Sequence, residues 1–296
     1  MEYKKILGSN IFGEYFDSAK IEDIINSIYS ELQDNTYEYG YLNIDVYTDI
    51  MKQGNEGVKL GMYVYYYEII QRAYLTAVTG FLRFYNWING VEYSLSSNNT
   101  IIFASSLRGL IESSCDLYDA LENIPLNLAE HFKLIKSALN KELEKVCVVK
   151  DIEDQLIHFQ YTSKKNKTNY SGVNKNIYNP KSAKDYISST NLEHLDLYKC
   201  YSDLCEITHP AENSISIFIN NKGNVLSINT GSSDEIKKFV SSYSKDLSEL
   251  LERTFNLLII FFKTINLFNI EKLTLKYLEN INCTSIPMWK KILKLQ

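Results

Sequence analysis

The chain has 296 residues and a formal net charge of −5. That charge argues against an extended basic surface that coats nucleic acid, although it leaves room for a small basic patch. Hydrophobic residues make up 45% of the chain and charged residues 23%, proportions typical of a globular protein rather than a disordered one.

The cysteines and the apolar runs predict where the protein resides. Five scattered cysteines do not form the pattern of a disulfide framework, and the first residues lack the apolar stretch of a signal peptide. The most apolar run, residues 255–268, contains Lys263 and is shorter than the ~20 residues that a membrane span requires. We therefore expect a cytoplasmic protein that has no contact with a membrane.

The first half of the chain is predicted to contain long helices. Residues 21–32 have a helical pattern, and residues 62–87 have apolar side chains at three-four spacing, which indicates a long amphipathic helix. A stripe over 103–121 predicts the next helix, which ends before Pro125 because proline disfavours helical geometry in the residue preceding it. A further helix is predicted over 126–148, and Pro125 suits its start.

The second half of the chain is predicted to contain a helix over 192–209, which ends before Pro210 for the same steric reason. Alternating β-branched residues in 214–219 and 224–230 flank an Asn-Asn-Lys-Gly turn and predict a hairpin.

A long helix follows the hairpin. Ser232 and Glu235 form a capping box that is typical of a helix start, and the helical pattern continues to about residue 268. A final short helix is predicted over 271–281.

Together these segments predict an all-α protein, an antiparallel helical bundle with a small β-hairpin insertion. The bundle is expected over 56–296, with the hairpin near 214–230. The polar segment near 162–191 is expected to be a surface loop, or alternatively a contact strip for phosphate. Residues 1–55 are treated as an N-terminal segment of uncertain structure.

Three polar residues beside apolar stripes are the candidates for chemistry. Arg108 and Glu112 lie four apart on one predicted helix, so they share a face and can pair. Such a pair is either a structural ion pair or the floor of a polar pocket. His209 ends a stripe that is predicted to face inward, where unpaired carbonyls favour the imidazolium. It suits a general acid or base, or a helix cap. This stripe comprises Leu195, Tyr198, Ser202, Cys205 and His209.

Two segments resemble the HEPN superfamily. Residues 104–112, Ala-Ser-Ser-Leu-Arg-Gly-Leu-Ile-Glu, are similar to the Arg-Leu-x-x-Glu helix of many members, with Gly109 where that pattern has leucine. Residues 201–210, Tyr-Ser-Asp-Leu-Cys-Glu-Ile-Thr-His-Pro, are similar to their helix ending in His-Pro. The resemblance implies an antiparallel bundle that forms a homodimer, acts in bacterial phage defence or toxin–antitoxin systems, and cleaves RNA without a metal or cofactor.

The resemblance also implies roles for individual residues. His209 would move a proton on or off the 2′-hydroxyl or the leaving oxygen, and Arg108 would stabilise the phosphorane, with Glu112 beside it. Tyr201 and Ser202 would orient the substrate.

One departure from the pattern leaves alternatives open. Active members carry an arginine shortly before the histidine, and this helix has none. Either Arg108 supplies that charge from the neighbouring helix, or the chain is a non-catalytic scaffold that binds a protein partner or an antitoxin. A sensor that binds a small molecule or nucleotide in the same pocket is a third alternative.

Other site chemistries have little support in the sequence. Cys205 and His209 share a helix face, but Cys200 lies on another side and a second ligand pair is lacking, so we expect no zinc site. The chain contains no P-loop, Rossmann or nucleophile-elbow motif. Nucleotide hydrolysis by a P-loop, dinucleotide binding and α/β-hydrolase chemistry are therefore not expected.

Overall fold

The computed structural model describes residues 18–34, 37–40, 42–161, 180–190, 196–210, 212–228 and 233–296. Within these ranges the protein is mostly α-helical, and its strands form one two-stranded antiparallel hairpin. The predicted helical class with a small hairpin is therefore confirmed, while the bundle arrangement stays a prediction. In the described part of the chain, none of the helices combines the length and the apolar character needed to cross a membrane.

The helices before the hairpin are α1 (Ser18–Asp34), α2 (Ile44–Met51), α3 (Gly54–Ser96), α4 (Thr100–Leu121), α5 (Ile124–Glu130), α6 (Phe132–Leu139), α7 (Lys150–Tyr161), α8 (Ala183–Ser189), α9 (Leu197–Thr208) and α10 (Glu212–Ser216). The hairpin consists of β1 (Ile219–Lys222) and β2 (Val225–Ile228). It is followed by α11 (Ser233–Asn266), two 3₁₀ turns (Glu271–Leu273 and Lys276–Asn280) and α12 (Pro287–Leu295).

The chain divides into two compact units, each assembled from non-contiguous segments. The first unit comprises Met1–Asn26, Phe81–Asp119 and Lys181–Phe255. The second unit comprises Ser27–Gly80, Ala120–Pro180 and Asn256–Gln296. Whether residues 1–55 form a segment of their own stays a prediction.

Each unit has its own buried apolar side chains. In the first unit they include Phe84, Phe103, Leu107, Ile111 and Leu204. In the second unit they include Ile28, Tyr66, Phe261, Phe262 and Leu278. The apolar stripes of α3 and α4 therefore face the core, as their three-four spacing predicts.

Helix α3 is longer than the predicted 62–87 and passes through Gly90 without a break. A Cβ atom at position 90 would lie 2.7 Å from the Ser106 Oγ atom of α4. This glycine lies inside α3 and permits a close approach between two helices.

The prediction of one helix over 126–148 is wrong. The chain forms α5 and α6 instead, which are separated at His131, and α6 ends at Leu139. Lys141 has a φ of +60°, and the amide of the next residue, Glu142, donates to the Ser137 carbonyl at 2.9 Å. This is the geometry of a left-handed cap that satisfies the last carbonyls of a helix. Val146, which falls within the predicted helix, is exposed.

The hairpin is displaced from its predicted position. Residues 214–216 belong to α10, and the strands pair Ile219 with Ile228 and Lys222 with Val225. The turn has Gly223 in the left-handed region, with a φ of +66°, so it begins later than the predicted 220–223.

Several predictions fall partly or wholly outside the described residues. They concern most of the polar loop (162–179 and 191), the start of the helix predicted over 192–209, the end of the second strand (229–230) and Ser232 of the capping box. Within the predicted loop, residues 183–189 form α8. The final helix predicted over 271–281 is instead a pair of 3₁₀ turns.

Candidate functional site

Helix α9 buries a different face from the one that the sequence predicted. Its buried side chains are Leu197, Cys200 and Leu204, whereas Tyr198 is 47% exposed and Ser202 is also exposed. Both sets of residues recur at helical spacing, and the more apolar set faces the core. The predicted inward stripe is therefore wrong, and most of its described residues lie at the surface of the first unit.

His209 is the first residue beyond α9. Its amide donates to the Cys205 carbonyl at 2.9 Å, and its extended backbone, with φ −98° and ψ 157°, is what a residue before proline adopts. Pro210 thus ends the helix where the sequence predicted. The imidazole is exposed, so it is open to solvent at the end of the helix.

Arg108 and Glu112 pair on α4 as the i,i+4 spacing predicts. The Nε atom of Arg108 lies 3.6 Å from Glu112 Oε1, and the two side chains are 28% and 39% exposed. An ion pair that is this accessible contributes little stability by itself. The pair is therefore a half-exposed charged feature of the surface.

Arg108 and His209 are in contact in the structure, although they are 101 residues apart in the sequence. Arg108 Nη1 lies 3.1 Å from His209 Nε2 and 3.3 Å from the hydroxyl of Thr208. A guanidinium only donates hydrogen bonds, so Nε2 must accept in this contact. The contact is a hydrogen bond in the tautomer that carries its proton on Nδ1.

Tyr201 contacts both members of the α4 pair. Its hydroxyl donates to Glu112 Oε1, and its ring centroid lies 5.8 Å from the guanidinium carbon of Arg108, within the range of a cation–π interaction. Burial, followed by the hydrogen bond to Glu112, raises the pKa of the Tyr201 phenol above its ordinary value. The phenol therefore keeps its proton at neutral pH.

Thr208 also belongs to the cluster, although no motif of the sequence marks it as a site residue. Its hydroxyl donates to the carbonyls of Leu204 and Cys205, both at 3.1 Å, which leaves its oxygen free to accept from Arg108. Its position next to His209 was the one available signal. Ser202, by contrast, is exposed, and no hydrogen bond joins it to the cluster within the described residues.

Among the residues that the structure describes, no group of three or more histidine, cysteine and acidic side chains comes together as metal ligands. Cys200 is fully buried, and burial raises the pKa of its thiol, which opposes formation of the thiolate that binds zinc. The expected absence of a cofactor stays an expectation.

The cluster thus combines a cation, a carboxylate, an imidazole and a phenol at the surface of one unit. We refer to Arg108, Glu112, Tyr201, Thr208 and His209 as the Arg108 cluster. A guanidinium beside an imidazole can bind an anionic group and move a proton next to it. The arrangement is therefore suited to chemistry on a phosphate or carboxylate group.

No known protein family, curated protein or solved structure matches this chain. The resemblance to the HEPN superfamily consequently rests on residues 104–112 and 201–210 alone. The structure places residues of both segments in the Arg108 cluster.

Proposed function

We propose that the chain is a HEPN-like antiparallel helical bundle that cleaves RNA at the Arg108 cluster without a metal ion. We further propose that it works as a homodimer in the bacterial cytoplasm, as a toxin-type effector in phage defence or stress response. The dimer and the biological setting rest on the resemblance to the HEPN superfamily. The reaction rests on the geometry of the cluster.

The contact between Arg108 and His209 carries the proposal. Active members of the superfamily have an arginine shortly before the histidine on the same helix, and α9 lacks one. At 3.1 Å from the imidazole, the α4 arginine stands close enough to serve the same phosphate that the histidine acts on. An accessible arginine suits this role because its planar fork matches phosphate oxygens.

In the proposed reaction a phosphodiester displaces the imidazole from Arg108, so that the guanidinium binds the non-bridging oxygens. The released Nε2 of His209 then takes the proton of the 2′-hydroxyl, and the 2′-oxygen attacks phosphorus as the bond to the 5′-oxygen breaks. The leaving oxygen receives a proton from water or from the imidazolium. The products are a 2′,3′-cyclic phosphate and a 5′-hydroxyl, and Arg108 stabilises the charge of the phosphorane.

The other residues of the cluster have supporting roles in this proposal. Glu112 and the ring of Tyr201 hold the guanidinium beside the imidazole. Ser202, exposed on the same helix, is a surface residue available to contact the substrate with Tyr201. The Glu112 carboxylate also competes with the substrate for Arg108, so binding requires a polyanion with several contacts.

A non-catalytic scaffold is the second candidate, and one observation favours it. Arg108 already contacts Glu112, Thr208 and His209, as expected of a residue that ties α4 to α9 within the first unit. In that case the surface around the cluster binds a protein partner or an antitoxin.

RNA cleavage by the purified protein distinguishes the two candidates. We would compare wild type with His209→Asn and Arg108→Lys on a structured and an unstructured RNA, with and without EDTA. Arg83→Lys is a matched control, because Arg83 also pairs with a carboxylate in the first unit, at 2.7 Å from Asp116. Circular dichroism checks that every variant is folded.

The proposal predicts EDTA-resistant cleavage that leaves 2′,3′-cyclic phosphate ends. Loss of a general base or of a phosphate-binding arginine typically lowers such a rate by about 10²-fold or more. We therefore expect the cleavage rates of His209→Asn and Arg108→Lys to fall at least that far, and the rate of Arg83→Lys to stay at the wild-type value. Absence of activity in well-folded wild type, or equal activity in His209→Asn, would support the scaffold.

A further inference from the structure

The second unit contains a cavity of about 490 Å³. This volume lies within the range of about 300–1,000 Å³ that small-molecule sites occupy. None of its lining residues belongs to the Arg108 cluster, and all of them are polar or can form hydrogen bonds. They are Glu31, Tyr74, Glu271, Lys272, Thr274 and Lys276.

The wall that carries the two lysines is fixed by hydrogen bonds. Glu31 of α1 accepts from the amides of Lys276 and Tyr277, at 2.7 and 3.1 Å. The side-chain amide of Asn266, at the end of α11, donates to the Leu275 carbonyl at 2.9 Å and accepts from the Leu275 amide at 3.1 Å. Two helices, α1 and α11, therefore anchor residues 275–277 beside the cavity.

Tyr74 provides a donor inside the cavity. The residue is only 3% exposed, and its ring packs edge-on against Tyr37 and Phe262, with centroids 5.1 and 6.2 Å away. Burial raises the pKa of the Tyr74 phenol to about 12, so the hydroxyl stays protonated. No hydrogen bond joins this hydroxyl to another described residue, so it can donate to a ligand in the cavity that Tyr74 lines.

The remaining side chains define what the cavity can bind. Lys272 and Lys276 contribute two ammonium groups, which match the double negative charge of a phosphate monoester at neutral pH. The Thr274 hydroxyl donates to the Ile270 carbonyl at 2.9 Å, so its oxygen can accept. Together with the Glu271 carboxylate it offers acceptors for hydroxyl groups.

We propose that this cavity binds a small polyol phosphate, such as a sugar phosphate. The two lysines and the Tyr74 hydroxyl would hold the phosphate group, and Glu271 and Thr274 would accept from the hydroxyl groups of the polyol. Five of the six described lining residues are charged or hydroxyl-bearing side chains other than an aromatic ring, which favours a polar ligand over one with a large base or ring. The inference is independent of RNA cleavage, because no residue is shared between the two sites.

Calorimetric titration with ribose 5-phosphate tests this site. The variants are Tyr74→Phe, which keeps the buried ring, and the double substitution of Lys272 and Lys276 by alanine. Lys133→Ala, which removes an exposed lysine in the same unit, is the matched control. Ribose and inorganic phosphate are titrated separately, and thermal unfolding verifies that each variant is folded.

We expect saturable binding of ribose 5-phosphate that Tyr74→Phe weakens about fivefold, the equivalent of one hydrogen bond of about 1 kcal/mol. The affinity of the double lysine variant for ribose 5-phosphate should be at least tenfold lower than that of wild type, and Lys133→Ala should bind as wild type does. Absence of saturation by wild type, or an equal loss in Lys133→Ala, overturns the site. Equally tight binding of inorganic phosphate overturns the polyol assignment.

Discussion

The indole of Trp87 lies directly against the backbone of Gly109. A Cβ atom at position 109 would lie 2.5 Å from Cζ2 of the indole, closer than any real contact of such atoms. The α3 tryptophan therefore fills the space beside α4 that a larger side chain would need. This explains in physical terms why the chain has glycine where the HEPN pattern has leucine, one residue after Arg108.

We expect Gly109→Ala to displace the indole and to reduce the free energy of unfolding by about 1–2 kcal/mol, since overpacking outweighs the gain in helix propensity. Trp87 is 38% exposed, so it can swing further into solvent. The test is denaturant unfolding together with a red shift in tryptophan emission. In the Trp87→Leu background Gly109→Ala should become neutral or stabilising; an equal cost in both backgrounds would contradict this explanation.

The hydrogen bond from Tyr201 to Glu112 is expected to be visible in titration. Burial and the carboxylate raise the pKa of the phenol, so its contribution to stability is fully present below the ordinary tyrosine pKa of ~10 and is lost as the pH rises through the higher folded-state value. Glu112→Gln should bring the pKa of Tyr201 down. NMR of ¹³Cζ-labelled tyrosine, with the Tyr201 signal assigned from Tyr201→Phe, measures the pKa of Tyr201 in wild type and in Glu112→Gln. An equal pKa in the two proteins would exclude an interaction between the phenol and the Glu112 carboxylate.

The i,i+4 pair of Arg108 and Glu112 could be predicted because both residues lie on one helix, where spacing alone determines the face. The contact between Arg108 and His209 could not be predicted, because the two residues are 101 positions apart in the sequence. Their contact depends on how α4 packs against the end of α9. The buried face of α9 was also ambiguous. Cys200 and Leu204 share a spacing that Tyr198 and Ser202 also follow, so periodicity does not decide which set is buried.

The helix predicted over 126–148 ends early, at Leu139, for a local reason. Apolar residues continue at helical spacing to Leu143 and Val146, but Lys141 adopts a positive φ. A non-glycine residue takes that conformation at a modest cost, and the carbonyls that the cap satisfies offset it. Nothing in the composition of Asn140 or Lys141 distinguishes such a cap from continued helix. Pro210, by contrast, ends α9 by steric exclusion, since His209 before it is extended.

Lys263 is expected to stabilise the C-terminal segment in a pH-dependent way. The lysine is 9% exposed, and its ammonium donates to the carbonyls of Leu278 and Ile281 at 2.7 and 2.8 Å. Lys263→Met removes the donor for both carbonyls, so the free energy of unfolding should fall by about 2 kcal/mol.

The pH dependence follows from burial, which lowers the pKa of Lys263 below its ordinary value. The unfolded chain then binds more protons than the folded one between the two pKa values, so stability rises with pH in that interval. Urea unfolding over a series of pH values from 7 to 10.5 should show that the free energy of unfolding of wild type rises relative to that of Lys263→Met as the pH approaches the ordinary lysine value of 10.5. Lys290→Met, at an exposed position of α12, is the control; a constant difference would mean that the ammonium is not desolvated.

Thiol modification under native conditions tests the burial pattern of both units. Cys147 is exposed, whereas Cys115, Cys200 and Cys283 are buried, and burial raises the pKa of Cys115 to about 12 and that of Cys283 to about 11. Because the thiolate is the reactive form, these two thiols should stay unmodified by a disulfide reagent even at pH 9. Cys147→Ser should remove the fast phase while the buried thiols react only when denaturant unfolds the chain. Fast modification of Cys115 or Cys283 in the native protein would contradict the packing of its unit.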